Sequence, residues 1–460
     1  MARMVADTDM PSRTGNFRWV IVILLLAATT INYLDRQIIG LLKPVLETTF
    51  SWTETDYARI VMAFTAAYAI GLFISGPLID RVGTRIGYSI TVFVWSVSGM
   101  LHALARGAWG FGIARVGLGL GEAGNFPAAV KVVAEWFPEK ERGLATGIFN
   151  AGTSVGVVTA LLIVPPILTH LGWQAVFWIT GALGLVWLVL WWILYEVPSR
   201  HRRISASERA YIEAGGGDTA APDQEPHPIR PGAGAQLPES RAFRVPWRRL
   251  FSFPQMWAFI AGKAFIDPIF WFFLFWMPSY FAAHFSLDLR KPSVSLMIIY
   301  AATTVGSIGG GFLSSWLVRR GWPVLKARRA VLLLFAFLEV SIILAQFAHS
   351  QWVAVALISL AVAVHQAWAT NMFTMASDLF PKEVVSSVVG IGGMAGALGG
   401  ILFPILVGYL LDTYKAAGDI VAGYNLLFTL CGSTYLITWG VIYLLTHRHG
   451  KVSLSSITKE

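Results

Sequence analysis

Twelve apolar stretches of about 20 residues recur along this 460-residue chain, and they constrain its fold more than any other feature. Each is long enough to cross a ~30 Å hydrocarbon core as a helix. They fall at roughly 18–42, 56–79, 86–105, 108–136, 143–169, 173–196, 253–283, 293–317, 328–348, 352–377, 386–412 and 424–446. The runs are continuously apolar rather than alternating, which selects helices over a barrel. Composition agrees: only 13% of residues are charged, against about 25% in a soluble domain. The expected fold class is an all-α polytopic membrane protein with twelve transmembrane helices in two six-helix halves.

A formal charge of +9 could suggest nucleic acid, so its placement decides the matter. With both termini inside, the cytoplasmic segments hold 25 of the 35 Lys and Arg, the outer loops six and the spans four. That is the positive-inside pattern, so the basicity reports topology and argues against a nucleic-acid partner. The expected location is the bacterial cytoplasmic (inner) membrane, multi-pass, with both termini cytoplasmic. Cys431 is the single cysteine and lies in the last span, so no disulfide framework exists. The polar N-terminus precedes a span too long for a signal h-region, and nothing there reads as cleaved.

Residues 197–250 interrupt the pattern. "SRHRRISASERAY" reads as a basic surface helix, and "GGGDTAAPDQEPHPIRPGAGAQLPES" as a Pro- and Gly-rich linker. The expected organisation is a cytoplasmic N-terminus (1–17), a six-helix half (18–196), a cytoplasmic loop (197–250), a second six-helix half (251–446) and a cytoplasmic tail (447–460). The halves echo one another. "EWFPEKERGLATG" (135–147) closes the fourth span and "DLFPKEVVSSVVG" (378–390) the tenth, each with a Gly nine residues after the Pro. "GPLIDRVGTRIG" (76–87) is echoed by "GFLSSWLVRRGW" (311–322), with Ser315 where the first copy has Asp80. Paired halves suit a transporter that rocks about a central site.

The loop signature in Gly76, Asp80, Arg81, Gly83 and Arg85 resembles that of the major facilitator superfamily. Within it, "NYLDRQ", "RVGLGLGEAGNFPA" and "AEWFP" resemble the anion:cation symporter group. "GKAFIDPIFWFFLFWMPSYF", "HQAWATNMFTMASDLFP" and "GIGGMAGALGG" resemble bacterial hexuronate transporters in particular. The resemblance implies a proton-coupled carrier for a sugar-acid anion such as galacturonate or glucuronate. It also implies that Asp80, Arg81 and Arg85 form a cytoplasmic gate rather than a substrate contact.

Charges inside spans are costly and usually face a cavity or one another. Asp35 and Arg36 are adjacent, so on a helix they diverge by about 100° and require different partners. Arg36 offers a planar fork suited to a carboxylate, and Asp35 could bind and release a proton or serve as a permanent ion-pair partner. Arg115 and Glu122 share a helix face, but seven residues is about 10 Å, too far for tight pairing in a straight helix. The Gly-rich stretch ending at Pro127 predicts a kink there. The resemblance assigns proton coupling to Asp35 and Glu122, anion contact to Arg36, cavity hydroxyls to Tyr33 and Tyr68, and to Arg115 the role of basic partner or gate of Glu122. Lys263 and Asp267, at i and i+4, either neutralise each other or contact substrate, and Pro268 should break that helix. His365, Trp368 and Asn371 form a stripe in the tenth span, with Gln366 beside them, able to meet sugar hydroxyls. A lone buried His is more often a satisfied hydrogen-bonder than a proton relay. Lys131, near the inner end of its span, can snorkel to the interface and is expected to be structural.

No G-x-x-x-x-G-K-[ST] occurs, so direct ATP drive is not expected. H-E-x-x-H is also missing, and the His residues do not cluster with Cys or one another at metal-ligand spacing, which argues against an enzyme. No metal or organic cofactor is expected; the coupling ion is H⁺, with Na⁺ as the alternative. The expected partners are the lipid bilayer and a small sugar-acid anion, carried by a monomer. The competing readings are a carrier of another organic anion, such as galactonate or glucarate, and a non-transporting sugar-acid sensor of the same fold.

Overall fold

A computed structural model describes residues 15–214, 247–285 and 294–458, and among them all regular structure is helical. The whole Pro- and Gly-rich linker and the start of the N-terminal segment lie outside the described residues. The helices are α1 (Phe17–Phe50), α2 (Glu54–Val82), α3 (Thr84–Leu101), α4 (Ala108–Glu122), α5 (Asn125–Trp136), α6 (Glu139–Leu171), α7 (Trp173–Leu194) and α8 (Ala206–Ala214). After the linker come α9 (Pro254–Ala264), α10 (Asp267–Phe285), α11 (Val294–Arg319), α12 (Val324–Leu338), α13 (Ser341–Ala345), α14 (Gln351–Leu379), α15 (Val385–Ala416), α16 (Ile420–Thr446) and α17 (Leu454–Thr458).

Ten described helical stretches are long and apolar enough to cross a membrane. The other two of the twelve sequence segments are also helical, but each is interrupted. In the fourth span α4 ends at Glu122 and α5 begins at Asn125, the break that the Gly-rich run and Pro127 predict. In the ninth, α12 gives way to α13 at Glu339 and Val340, which no Gly or Pro announces. The seventh span breaks too, between α9 and α10, with Pro268 as the second residue of the new helix, where its missing N–H costs no hydrogen bond. Three of the twelve spans therefore expose backbone ends within the bundle, and two of those breaks adjoin in-membrane charges predicted to form the site.

Packing follows the glycines. α1 packs on α6, α2 on α4 and α3 on α7; α11 packs on both α14 and α6, and α15 on both α2 and α9. The α6–α11 and α2–α15 contacts are the seams between the first seven helices and the later ones. At Gly76 a Cβ would collide with the Ser386 carbonyl of α15, and at Gly311 with the Gly143 carbonyl of α6. The two collisions fall at equivalent places in the repeated motifs. Gly76 and Gly311 open the paired loop signatures, and Ser386 and Gly143 each lie five residues after the Pro of the paired Phe-Pro motifs. The repeats thus build two pseudo-equivalent crossings. A further run, "GIGGMAGALGG" in α15, lets α10 approach: Gly396 abuts Asp267, and Gly399 abuts Pro268.

Candidate functional site

Midway along α1, Asp35 and Arg36 point to different surroundings, as adjacency on a helix requires. Arg36 Nε donates to Glu122 Oε2 at 3.0 Å, and its Nη2 lies 2.9 Å from the same oxygen. The guanidinium is enclosed by the rings of Tyr68 at 4.6 Å, Tyr33 at 4.7 Å and Phe64 at 5.2 Å. Glu122 is the last residue of α4, so the break brings its carboxyl level with Arg36 on α1. The direct salt bridge to Glu122 is thus made by Arg36, while Arg115, the partner that the resemblance implies, acts on Glu122 electrostatically without a direct contact. Arg115 sits two turns earlier on α4.

Arg115 is only 2% exposed and lies over the Phe64 ring at 5.3 Å. Its Nε and Nη2 have no hydrogen-bond partner. Asp35 is 3% exposed, and both its carboxylate oxygens lack a partner too. Glu122 and Arg115 act on it electrostatically. A buried guanidinium and a buried carboxyl, near each other yet unpaired, leave unsatisfied hydrogen-bonding capacity worth several kcal/mol.

On the other side of the seam, Lys263 Nζ stands 2.7 Å from Asp267 across the α9–α10 break. Lys263 also lies 4.2 Å over the Phe373 ring. Phe373 stacks on Phe126 at 5.0 Å, and Phe126 meets Tyr33 edge-on at 6.4 Å. The rings of Tyr33, Phe126 and Phe373 therefore form a continuous partition with Arg36 at one end and Lys263 at the other. Asp267 is 25% exposed and acts electrostatically on Tyr33 and Tyr68, so the two charged clusters border the same space. Sequence reasoning missed Phe126 and Phe373, because an aromatic in an apolar span carries no signal of its own.

The tenth-span residues divide. His365 Nδ1 is 2.6 Å from the Tyr435 hydroxyl, and its ring stacks on Phe270 at 5.1 Å. Trp368 packs edge-on against Tyr435 at 5.3 Å and leaves its Nε1 unpartnered. Asn371 and Gln366 depart from the expected sugar-facing stripe. Asn371 donates both amide hydrogens to backbone carbonyls, Gly310 on α11 at 3.0 Å and Ala367 at 2.8 Å. Gln366 accepts from Asn150 of α6 at 3.1 Å, within a network that includes Ser307 and Thr370. Both serve helix contacts, as polar groups in spans do. Asn150 was the missed member, and an Asn in the middle of an apolar span was the available signal.

At one end of the bundle the seams are latched. Asp80 accepts from the backbone N–H groups of Ser386 at 3.2 Å and Ser387 at 2.7 Å, capping α15, and from Lys131 Nζ at 2.8 Å. Lys131 is therefore structural, through its salt bridge to Asp80. Ser315, which replaces Asp80 in the second repeat, accepts from the Leu144 N–H of α6 at 3.1 Å. Ser387 and Leu144 each lie six residues after their motif Pro. The charge missing from Ser315 stands elsewhere: Asp378 is held by Arg142 of α6 at 3.2 Å and by Arg328 of α12 at 2.9 Å. Arg85 pairs with Glu196 and lies 4.7 Å over the Trp192 ring, staying within the first helices, while Arg81 is exposed. Gly83, at φ +84°, turns the chain between α2 and α3 in the left-handed region that favours glycine.

Comparison with known proteins places this architecture. The sequence profile of the Major Facilitator Superfamily matches residues 25–404. The hexuronate transporter of Escherichia coli (strain K12) is 30% identical over 418 residues, covering 90% of this chain and 92% of that protein. The probable L-galactonate transporter of the same strain is 28% identical over 427 residues, covering 92% and 87%. A structure of the E. coli fucose:proton symporter superposes with a TM-score of 0.64 at 15% identity, over 95% of this chain and all of that one, a likeness of fold. The chain is a multi-pass membrane transporter, not an enzyme, and it belongs to the Major Facilitator Superfamily.

Proposed function

We propose that the chain imports a sugar-acid anion, a hexuronate such as galacturonate or glucuronate, together with a proton. The observation that carries this reading is the buried Arg36–Glu122 ion pair between α1 and α4. A guanidinium neutralised by a carboxylate is a poor anion site. Once Glu122 is protonated, the same guanidinium is free to take the substrate carboxylate in a charge-assisted pair. Proton and anion then bind together because each removes the obstacle to the other, which is a coupling free energy between two sites. The curated relatives named for hexuronate and galactonate support a sugar acid as the anion.

Charge counting narrows the class. Arg36, Arg115 and Lys263 face Glu122, Asp35 and Asp267, three cations against three carboxylates. Each proton taken up leaves one positive charge uncompensated and so admits one substrate carboxylate. A hexuronate or an aldonate matches one proton; a dicarboxylic aldarate would require two. Asp35, buried and unpaired beside Arg115, is the second group through which a proton enters the cluster. Tyr33 and Tyr68 supply ring faces and hydroxyls for a polyol, and His365 and Trp368 supply ring faces and ring nitrogens.

The latched end, where Asp80 and Asp378 hold the seams, is the cytoplasmic end in this reading, so both termini are cytoplasmic and the site opens outward. Uptake of labelled galacturonate into proteoliposomes, with and without an inward proton gradient, tests the proposal. Accumulation that needs the gradient supports it, and equal uptake without one refutes proton coupling. Competition by unlabelled galactonate and glucarate ranks the alternatives.

A further inference from the structure

A carboxyl group that plays no part in the site above is buried in the ninth span. Glu339 is 0% exposed, and neither of its oxygens has a hydrogen-bond partner. It sits where α12 gives way to α13 without a Gly or Pro to cause the break. Eleven residues separate it from Arg328 at the latched end, about 16 Å along a helix and thus near the middle of the hydrocarbon core. An isolated ionised carboxylate there is costly, and in-membrane acids of this kind typically serve ion or proton pathways.

Its surroundings offer titratable neighbours but no hydrogen-bond partner. From α16, Cys431 and Tyr435 lie within its electrostatic reach. The Tyr435 hydroxyl is 2.6 Å from His365 Nδ1 on α14, and His365 in turn is under the influence of Lys263. α13 carries no titratable residue. α11 carries Tyr300 and Arg319, with the Tyr300 hydroxyl turned to the Phe273 carbonyl and Arg319 over its own Phe312 ring. The cations of α12 itself, Lys326, Arg328 and Arg329, cluster toward its latched end. No charged side chain among the described residues pairs with Glu339.

We infer that Glu339 is a further proton-binding site of the transport cycle, beside Glu122 and Asp35, which loses and regains its carboxyl proton in each cycle. Such a site would lie among the later helices, apart from Asp35 and Glu122, so that both helix groups respond to the proton. The inference rests on the proton-coupled reading, but its closing experiment does not depend on the substrate.

The experiment uses the full-length protein in liposomes. Dicyclohexylcarbodiimide, an apolar reagent that adds to protonated carboxyls, is applied across a range of pH, and modification of Glu339 is mapped by mass spectrometry. Modification that declines as pH rises is the expected result. Modification that is constant with pH would make Glu339 a permanently neutral packing group and overturn the proposal. A parallel measurement follows galacturonate uptake in Glu339→Gln, which keeps the shape of the side chain. A displaced pH profile with substrate exchange retained supports the proton role, and a pH profile matching the parent protein contradicts it. Should uptake prove independent of protons altogether, the carbodiimide result still decides whether Glu339 exchanges one.

Discussion

The two buried ion pairs that border the central space are built differently. Lys263 and Asp267 belong to one span, four residues apart, and Asp267 remains a quarter exposed. Arg36 and Glu122 come from different helices, 86 residues apart, and are almost wholly removed from water. A pair within one span moves as a unit, so rocking of the helices leaves it intact. A pair between helices is sensitive both to helix movement and to protonation of its acid. Coupling between a proton and an anion is therefore expected at Arg36–Glu122, and a fixed contribution to the field at Lys263–Asp267.

The largest expected effect is at Arg36. Arg36→Ala removes the anion contact and strands Glu122 in a site without water, a loss of about 3–5 kcal/mol for a broken buried pair. Hexuronate binding should weaken by at least about a hundredfold, one decade for each 1.4 kcal/mol, and calorimetry checks it. Glu122→Gln should have a more selective effect. Counterflow exchange of substrate should survive, because Arg36 is free, while accumulation driven by a proton gradient should be lost. Together the two variants sharpen the contrast between the pairs, since Lys263→Met is expected to weaken binding without abolishing the response to the gradient.

The double-mutant cycle on the second pair comes next. Lys263→Met alone leaves Asp267 against Gly396 without its cation and should lower thermal stability more than the double change with Asp267→Leu. A well-folded double variant with near-parental uptake would reduce this pair to structure. A folded variant with weak hexuronate binding would give Lys263 a share in the anion site. The smallest effect is expected at the latches. Asp80→Asn keeps a capping acceptor but weakens the contact to Lys131, so the seam should open more readily and Km should change by a few-fold. Ser315→Ala removes a single neutral acceptor, worth about 1 kcal/mol, and should shift uptake less than Asp80→Asn does.

The sequence revealed most of the fold, because hydrophobic length is a direct consequence of the bilayer thickness and Gly-rich and Pro-marked breaks have steric causes. The charges of the site were equally legible: Asp35, Arg36, Arg115, Glu122, Lys263 and Asp267 stand out against apolar runs. What could not be read was who pairs with whom. Arg36 meets Glu122 only because α4 stops at the Gly-rich break, and that is a fact of three dimensions. The same holds for Asn371 and Gln366, whose helix position suggested a sugar contact but whose hydrogen bonds run to α11 and α6. Ser315 looked like a lost latch, whereas the seam keeps its charge on Asp378, held by Arg142 and Arg328. Glu339 was visible as a letter, but a helix break with no Gly or Pro gave it no context.

The central claim is that the proton on Glu122 and the anion on Arg36 bind as one event. Calorimetric titration of galacturonate into the purified protein, in two buffers of different ionisation enthalpy, counts the protons taken up per substrate bound. The account predicts about one proton for the parent protein at neutral pH, affinity that falls as pH rises by up to about tenfold per unit, and no linked proton in Glu122→Gln. Binding with no proton uptake in the parent, or with the same uptake in Glu122→Gln, would contradict it.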